Sequence, residues 1–284
     1  MSKFIASISV LYLFCVPAFA DSLEKRQKDY ALSLYMSGNY FRCIDEIRKG
    51  VFYWNADKIE SEYFIDCCYF SGKQYHTSIT RLRPNDEPRN IMLLSQSLLA
   101  LGQYGESRGI SSRLSYNTGK INNHDILMRR IEPLVYLEDY KSALTELENY
   151  KKITDGNETF SALEEKLRSS SAIPSRSTGL SVLFSAIIPG LGQAYSGRYL
   201  SGLVSLAGVG GTAFAGALMH RRGEKGLAAG AFFLSAVFYS GNLYSAYNSA
   251  SEFNARQKKL YRDNLSANIP AYEPLKYLDY RNRR

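Results

Sequence analysis

Few residues of this chain have the types and spacings that catalysis or metal binding requires. The 284 residues include three histidines, His76, His124 and His220, and no two of them have the short spacing of a zinc-binding pair. Gly190-x-Gly192 lacks the third glycine and the preceding strand of a nucleotide-binding loop, and no Gly-x-Ser-x-Gly turn occurs. We therefore expect no catalytic residues, no cofactor and no metal, and predict that the protein is not an enzyme.

Cysteine is the remaining reactive residue type, and its pairing stays open at this stage. Cys43, Cys67 and Cys68 form an odd-numbered set beyond the N-terminal apolar segment. In an oxidising compartment Cys43 can pair with Cys67 or with Cys68, and either pairing leaves one thiol over. We favour the other interpretation, in which the three thiols serve mainly as small apolar packing residues.

The N-terminus has the organisation of a secretory signal peptide. Lys3 supplies positive charge, Phe4 to Phe14 form an apolar segment, and Pro17-Ala18-Phe19-Ala20 is a small-x-small cleavage motif. We predict a signal peptide over 1–20, cleaved before Asp21, and therefore an exported bacterial protein. An uncleaved N-terminal anchor is the alternative.

Charge and hydropathy divide the rest of the chain into two parts. Residues 22–168 are rich in Lys, Glu, Arg and Tyr, whereas residues 179–247 carry few charges and many Gly, Ala, Leu and Ser. This contrast predicts a soluble domain followed by a membrane domain. The net charge of +8 is spread along the chain rather than gathered into one stripe. We attribute it to a position beside anionic lipid and expect no nucleic-acid partner.

A tyrosine recurs at a nearly constant interval within the soluble part. The four tyrosines are 35, 29 and 36 residues apart, and a small side chain stands three residues after each one. The pattern predicts two helices joined by a tight turn, repeated four times. The residues assigned to the turns are Gly38, Tyr40, Gly72, Tyr75, Gly102, Tyr104 and Tyr140, and the small residues are Cys43, Ser78, Ser107 and Ala143.

These segments resemble the tetratricopeptide repeat. In such a repeat, glycine permits the turn, tyrosine fills the gap between the two helices, and the small residue lets the second helix approach. Asp66 and Ile131 depart from the family pattern, which has a small residue there, and the spacing of 29 is short. An unrelated helical bundle is the alternative. The resemblance covers 25–165 and implies a concave surface that binds peptides or protein partners.

The membrane part contains two apolar segments long enough to cross a bilayer. Residues 199–219 and 226–246 are each 21 residues long, which corresponds to about 31 Å of helix. The charged residues 220–225 separate them, and residues 180–188 form an apolar helix of only half that length. We predict a transmembrane hairpin preceded by a half-length helix. A third crossing by residues 180–197 is the alternative.

A glycine-rich motif interrupts the apolar sequence before the first predicted span. Its residues are Pro189, Gly190, Gly192, Gln193, Tyr195 and Gly197. They resemble a signature of small bacterial membrane proteins with two transmembrane helices, which implies a topology and no chemistry. We expect Pro189 to end the half-length helix and Gln193 to hydrogen-bond the backbone groups that the turn leaves free. A polar ligand site around Gln193 is the alternative.

Small residues recur along the two predicted spans. Gly208, Thr212 and Gly216 have four-residue spacing in the first span, and Gly226 and Gly230 begin the second span. Such faces let helix backbones approach closely in lipid. We expect them to pack the hairpin within one chain, with contact to another subunit as the alternative.

Together these features predict an all-α protein, a periplasmic solenoid of helical pairs followed by an inner-membrane hairpin. The predicted segments are a signal peptide over 1–20, a repeat domain over 21–167, a linker over 168–179, a membrane domain over 180–248 and a basic tail over 249–284. The predicted function is that of an envelope scaffold or adaptor that binds protein partners through its repeats. The alternative is a small oligomeric channel or lipid-handling unit with regulatory repeats.

Overall fold

The computed structural model describes residues 25–117, 119, 121–154 and 160–279, and all regular structure in these ranges is helical. The predicted signal peptide lies outside the described residues. The chain divides into two compact units, and we describe each by itself. Unit 1 comprises Met1–Thr159 together with Ile269–Arg284, and unit 2 comprises Phe160–Asn268.

Unit 1 is a succession of antiparallel helical pairs. Each helix contacts the next one along the chain, and the first helix of one pair also contacts the first helix of the next. Buried aliphatic and aromatic side chains from consecutive helices form its core. Its helices are α1 (25–36), α2 (Tyr40–Trp54), α3 (Lys58–Ser71), α4 (Tyr75–Leu82), α5 (Pro88–Ala100), α6 (Tyr104–Ser111), α7 (Asn123–Tyr136) and α8 (Tyr140–Ile153).

The four turns inside these pairs share one geometry. In each, the residue before the tyrosine donates its amide to the carbonyl five residues earlier, over 2.8–3.0 Å, which satisfies a carbonyl at the end of the first helix. In each, the residue two before the tyrosine has a positive φ: 78° at Gly38, 59° at Lys73, 77° at Gly102 and 59° at Glu138. Because the geometry is the same, the 29-residue spacing does not alter the turn.

The second turn differs from the sequence prediction in the residue that bends it. Lys73, not Gly72, has the left-handed backbone conformation, and Gly72 has φ of −76°. Gly72 is needed for another reason: a Cβ atom there would lie 3.0 Å from the carbonyl oxygen of Cys68 and 3.3 Å from the ring of Tyr40. The lack of a side chain at Gly72 therefore leaves room for the ring of Tyr40, the tyrosine of the preceding turn.

The predicted tail over 249–284 divides between the two units. Residues up to Ser266 continue the last helix of unit 2, whereas residues from Ile269 onward belong to unit 1. A 3₁₀ turn at Pro274–Tyr277 places Leu275 and Leu278 in the unit 1 core. The sequence predicted one basic tail over 249–284; in the structure Leu265, Leu275 and Leu278 of this stretch are buried, while Leu260 is exposed.

Unit 2 contains five helices and a 3₁₀ turn in the residues described. Two of them, Tyr199–Arg221 and Lys225–Ser266, are long and apolar enough to cross a membrane, while Thr178–Ile187 is apolar but short. The elements are α9 (Ser161–Arg168), a 3₁₀ turn (Ser169–Ala172), α10 (Thr178–Ile187), α11 (Leu191–Tyr195), α12 (Tyr199–Arg221) and α13 (Lys225–Ser266). The predicted spans, 199–219 and 226–246, fall within α12 and the first half of α13.

The start of unit 2 also differs from the predicted boundary. The sequence suggested a domain ending at 167, but α9 belongs to unit 2. Lys166 donates a hydrogen bond to the side chain of Asn264 over 2.6 Å, and the Tyr261 hydroxyl donates to the Lys166 carbonyl. The polar second half of α13 thus holds α9. Residues 168–179, predicted as a linker, contain the 3₁₀ turn and the beginning of α10.

Candidate functional site

The C-terminal segment of unit 1 lies against one set of helices, and this contact is the most specific feature of the unit. We name residues 269–279 the return segment and the surface of α3, α5 and α7 that contacts it the first-helix face. These three are the first helices of the second, third and fourth pairs. The contacts therefore extend along the repeats rather than within one of them.

The first-helix face supplies hydrogen-bond donors to the backbone of the return segment. Tyr63 of α3 donates to the carbonyl of Pro274 over 2.8 Å, and Arg89 of α5 donates to the carbonyl of Tyr277 over 3.3 Å. Arg129 of α7 donates to the carbonyl of Pro270. Burial raises the pKa of Tyr63 well above its usual value, so the hydroxyl stays protonated and remains a donor.

Apolar and aromatic side chains fix the position of the segment along this face. Leu275 and Leu278 are 4% and 0% exposed, and burying each leucine contributes about 2 kcal/mol. The ring of Tyr272 packs edge-on against Phe70, with ring centroids 5.7 Å apart. The guanidinium of Arg129 lies 5.7 Å from the centre of the Tyr272 ring, so this arginine contacts the segment through both charge and hydrogen bonding.

Charged groups determine which way the return segment runs along the first-helix face. Lys276 forms an ion pair with Asp125 of α7 over 2.5 Å, and the amide of Asp279 donates to the carboxylate of Glu60 of α3 over 3.1 Å. Glu60 is itself paired with Arg89 over 2.6 Å, and both side chains are largely buried. Because a buried charge is costly without its partner, this pair holds Arg89 where it reaches the segment.

A second group of buried polar residues lies in unit 2, where α10 to α13 meet. We name it the re-entrant cluster; it contains Gly190, Gly192 and Gln193 of the motif together with Ser185 and Asn242. Gly190 has φ of +92°, and a Cβ atom there would lie 2.1 Å from the carbonyl oxygen of Gly202. A Cβ atom on Gly192 would lie 1.9 Å from the carbonyl oxygen of Ser181. Backbone therefore contacts backbone at both glycines.

Both ends of the Gln193 amide have partners within unit 2. Its oxygen accepts from the Ser185 hydroxyl over 2.9 Å, and its nitrogen donates to the backbone carbonyl of Asn242 over 3.1 Å. Asn242 in turn accepts from the amide of Gly190 over 2.9 Å and donates to the carbonyl of Ser185 over 3.0 Å. Gln193 is 0% exposed and Asn242 2%, so these contacts satisfy polar groups that are buried away from solvent.

The other motif residues have simpler surroundings. Pro189 follows the end of α10, and Gly197 has φ of +83° at the turn after α11. The ring of Tyr195 packs edge-on against Phe184 at 5.3 Å, and the guanidinium of Arg176 lies 5.0 Å from its centre.

Sequence reasoning missed the residues of other helices that belong to the cluster or contact its glycines. These are Ser181, Ser185, Gly202 and Asn242. The sequence did contain an indication for Asn242. It is the one side-chain amide in the predicted span 226–246, and polar residues within spans usually hydrogen-bond across helices. The two serines and the glycine had none, because such residues are common in apolar helices.

The predicted helix-packing residues divide into two groups. Gly208 and Gly216 of α12 face Phe238 and Phe232 of α13, at 3.7 Å and 3.0 Å from where a Cβ atom would be. Thr212 hydrogen-bonds the Gly208 carbonyl of its own helix over 2.6 Å. By contrast, a Cβ atom on Gly226 or Gly230 would meet nothing within 4 Å. The hairpin thus packs glycine against phenylalanine, and the glycines that begin α13 take no part in it.

The turn tyrosines pack as aromatic neighbours of the first helices. Tyr40 lies edge-on to Tyr35 at 5.3 Å and Tyr75 edge-on to Phe70 at 5.7 Å, both within one pair. Tyr104 stacks instead on Tyr136 of the following pair at 5.1 Å. Tyr140 is 8% exposed. The small residues three positions after the tyrosines are 0% exposed at all four places, which allows close contact between helices.

Comparison with known proteins finds no matching family model and no significantly similar curated protein. Within the described ranges, no group of three or more His, Cys, Asp and Glu side chains is arranged to hold a metal ion. The contacts of the return segment and the re-entrant cluster are therefore the basis for a functional proposal.

The re-entrant cluster predicts a sharp difference between glycines of unit 2. We expect Gly192→Ala to lower the stability of the full-length protein in detergent by about 2 kcal/mol or more, because the methyl group would collide with the Ser181 backbone. Gly230→Ala is the matched control, since its methyl group meets open space in a helix. Thermal unfolding followed by circular dichroism measures both variants. Equal unfolding temperatures for the two would contradict this account of the motif.

Proposed function

We propose that this protein is a membrane-anchored scaffold of the bacterial envelope, in which unit 2 provides the anchor and unit 1 binds protein partners. The observation that carries the proposal is the contact between the first-helix face and the return segment. This face already holds a mostly irregular stretch of eleven residues, 269–279, through backbone hydrogen bonds, two leucine sites and a directional set of charges. A tetratricopeptide-like unit with such a face is suited to binding segments of other proteins.

The contacts indicate what kind of partner segment the face accepts. It needs two aliphatic residues three positions apart, as Leu275 and Leu278 are, and an aromatic residue shortly before them. A lysine between the aliphatic residues pairs with Asp125. Backbone carbonyls must be free to accept from Tyr63, Arg89 and Arg129, so the segment is not a regular helix. A partner of this kind binds when the return segment is displaced.

The anchoring role rests on α12 and α13 and on the re-entrant cluster. Both helices have the length and apolar composition of membrane spans, and many large apolar side chains on them are exposed, such as Leu203 at 62% and Phe233 at 74%. Exposed apolar side chains of this size are costly in water and suited to lipid. With the predicted signal peptide, this supports an inner-membrane location with unit 1 in the periplasm.

The return segment also supports the two-span interpretation over the three-span one. Unit 1 contains chain from before unit 2 and chain from after it. Both parts share one hydrophobic core, so they must lie on the same side of any membrane that unit 2 crosses. The number of crossings is therefore even, and the turn with Arg221, Arg222 and Lys225 lies on the opposite side, in the cytoplasm, as the positive-inside rule favours.

The alternative of an oligomeric channel has weaker support. It relied on Gly208 and Gly216 as a surface for a second subunit, but these glycines face Phe238 and Phe232 of the same chain. The buried polar groups of unit 2 are used to satisfy the re-entrant turn. We therefore retain the scaffold as the proposed function.

The topology is tested by labelling single cysteines in intact cells. The variants are Ser169→Cys, Gly223→Cys and Glu273→Cys, each at an exposed position and each in a chain without the four native cysteines. With a membrane-impermeant thiol reagent we expect labelling at positions 169 and 273 and none at 223. Opposite results at 169 and 273 would refute the even number of crossings. Labelling at 223 alone would keep that number and reverse the orientation.

The scaffold function is tested by photocrosslinking in cells, with the crosslinking residue at position 60 or 125 on the first-helix face. In the otherwise unchanged chain we expect crosslinks to the return segment of the same molecule. In a chain with Leu275→Asp and Leu278→Asp, whose segment cannot stay buried, both positions should capture the same partner protein. An excess of a synthetic peptide of residues 268–280 should suppress that capture.

The control carries the crosslinking residue at position 203, because Leu203 is 62% exposed on α12. We expect this position to capture lipid, or no protein that is also captured at positions 60 and 125. Recovery of no protein from positions 60 and 125 in the released chain would argue against the scaffold. Capture that is insensitive to the peptide would mean that partners do not use the first-helix face.

A further inference from the structure

Two of the three cysteines in the described part of unit 1 lie side by side in its core. Cys43 is in α2, and Cys67 and Cys68 are consecutive residues of α3. The Sγ atoms of Cys43 and Cys68 are 3.4 Å apart, and the two residues are 0% and 1% exposed. The thiol of Cys43 also donates to the carbonyl of Ala31 in α1 over 3.0 Å, so three helices meet at this pair.

Cys67 cannot take the place of Cys68 in this arrangement. Neighbouring residues of an α-helix point about 100° apart, so only one of the two faces α2. Cys67 lies instead beside Tyr63, on the side of α3 that contacts the return segment. The sequence left both pairings open, and the helix geometry separates them.

We propose that Cys43 and Cys68 form a disulfide bond when the protein is in an oxidising environment, while Cys67 remains a free thiol. The sulfur atoms have to approach from 3.4 Å to the bond length of about 2.05 Å, a shift that side-chain rotation supplies. The bond joins α2 to α3, and therefore the first helical pair to the second. It closes a loop that contains the whole connection between these pairs.

The bond forms by thiol–disulfide exchange with a disulfide donor. One cysteine loses its proton, and its thiolate attacks the donor disulfide, which gives a mixed disulfide and releases one donor thiol. The thiolate of the second cysteine then attacks the protein sulfur of the mixed disulfide and releases the second donor thiol. Two protein thiols are oxidised, the donor disulfide is reduced to two thiols, and the two protons pass to the donor sulfur atoms.

Burial gives the pair two further properties. The donor reaches it before α1 packs or during local opening of α1, because Ala31 of α1 covers Cys43. Once formed, the disulfide is shielded from reductants, as structural disulfides are. Loop closure stabilises the folded state by restricting the unfolded chain, so the oxidised protein unfolds at a higher temperature than the reduced one.

The test counts thiols in the purified full-length protein, with Cys15→Ser in every variant so that only Cys43, Cys67 and Cys68 are counted. The protein is incubated with oxidised glutathione, once in detergent alone and once during removal of urea, so that burial does not block access. It is then denatured and alkylated, and mass spectrometry counts the alkylated thiols. We expect one alkylated thiol, three after reduction, and a cross-linked peptide that joins Cys43 to Cys68.

Substitutions distinguish the two adjacent cysteines. Cys67→Ser should leave no alkylatable thiol after oxidation and keep the rise in unfolding temperature. Cys43→Ser and Cys68→Ser should each leave two thiols and abolish that rise. Three alkylated thiols in the oxidised wild-type protein under both incubations would overturn the proposal, and so would a cross-link between Cys43 and Cys67.

Discussion

The carbonyl oxygens of Pro270, Pro274 and Tyr277 accept hydrogen bonds from side chains of three different helices, and much of the organisation of this protein follows from that contact. It places the last described residues in the same core as the first helices. It occupies the first-helix face, so any partner of that face has to compete with the chain itself. It also requires unit 2, in the membrane role that we propose for it, to begin and end on one side of the bilayer.

Unit 2 likewise depends on side chains that hydrogen-bond the backbone of an irregular stretch, in this case the re-entrant turn. A chain that turns back within an apolar region frees backbone amides and carbonyls, and each one left without a partner costs several kcal/mol in lipid. Here the side-chain amides of Gln193 and Asn242 supply those partners, and Gly190 and Gly192 allow the backbones to come close enough. The proposed anchor is thus stabilised by a small polar core inside an apolar one.

The local features of this structure could be predicted from the sequence, whereas its distant contacts could not. Tyr40, Tyr75 and Tyr104 predicted the turns because turn geometry depends on residues close together in the chain. The contact of Tyr63 with Pro274 joins residues 211 positions apart, and no periodicity or spacing reports on such a pair. The basic composition of residues 249–284 likewise does not show that Leu275 and Leu278 face a core.

The glycines of unit 2 also show that contacts between distant residues cannot be predicted from the sequence. Gly192 and Gly230 both lie in sequences rich in small residues, and the sequence predicted a turn at Gly192 and close helix packing at Gly230. Only the three-dimensional structure separates them, because the neighbour that makes Gly192 necessary is the carbonyl of Ser181 on another helix. A pattern of small residues therefore predicts that close contact is permitted, and the partner helix decides where it occurs.

The return segment also has a consequence for the order in which the protein acquires its structure. Contacts between residues far apart in the chain form late, and during synthesis N-terminal regions emerge first. Helices α1 to α8 are complete before any residue of unit 2 is made, yet Leu275 and Leu278, which complete their core, leave the ribosome only after unit 2. Until then the first-helix face exposes the sites that these leucines fill. Maturation of unit 1 is therefore delayed until unit 2 has been synthesised, and a chain that is truncated or stalled within unit 2 presents an open face to its surroundings.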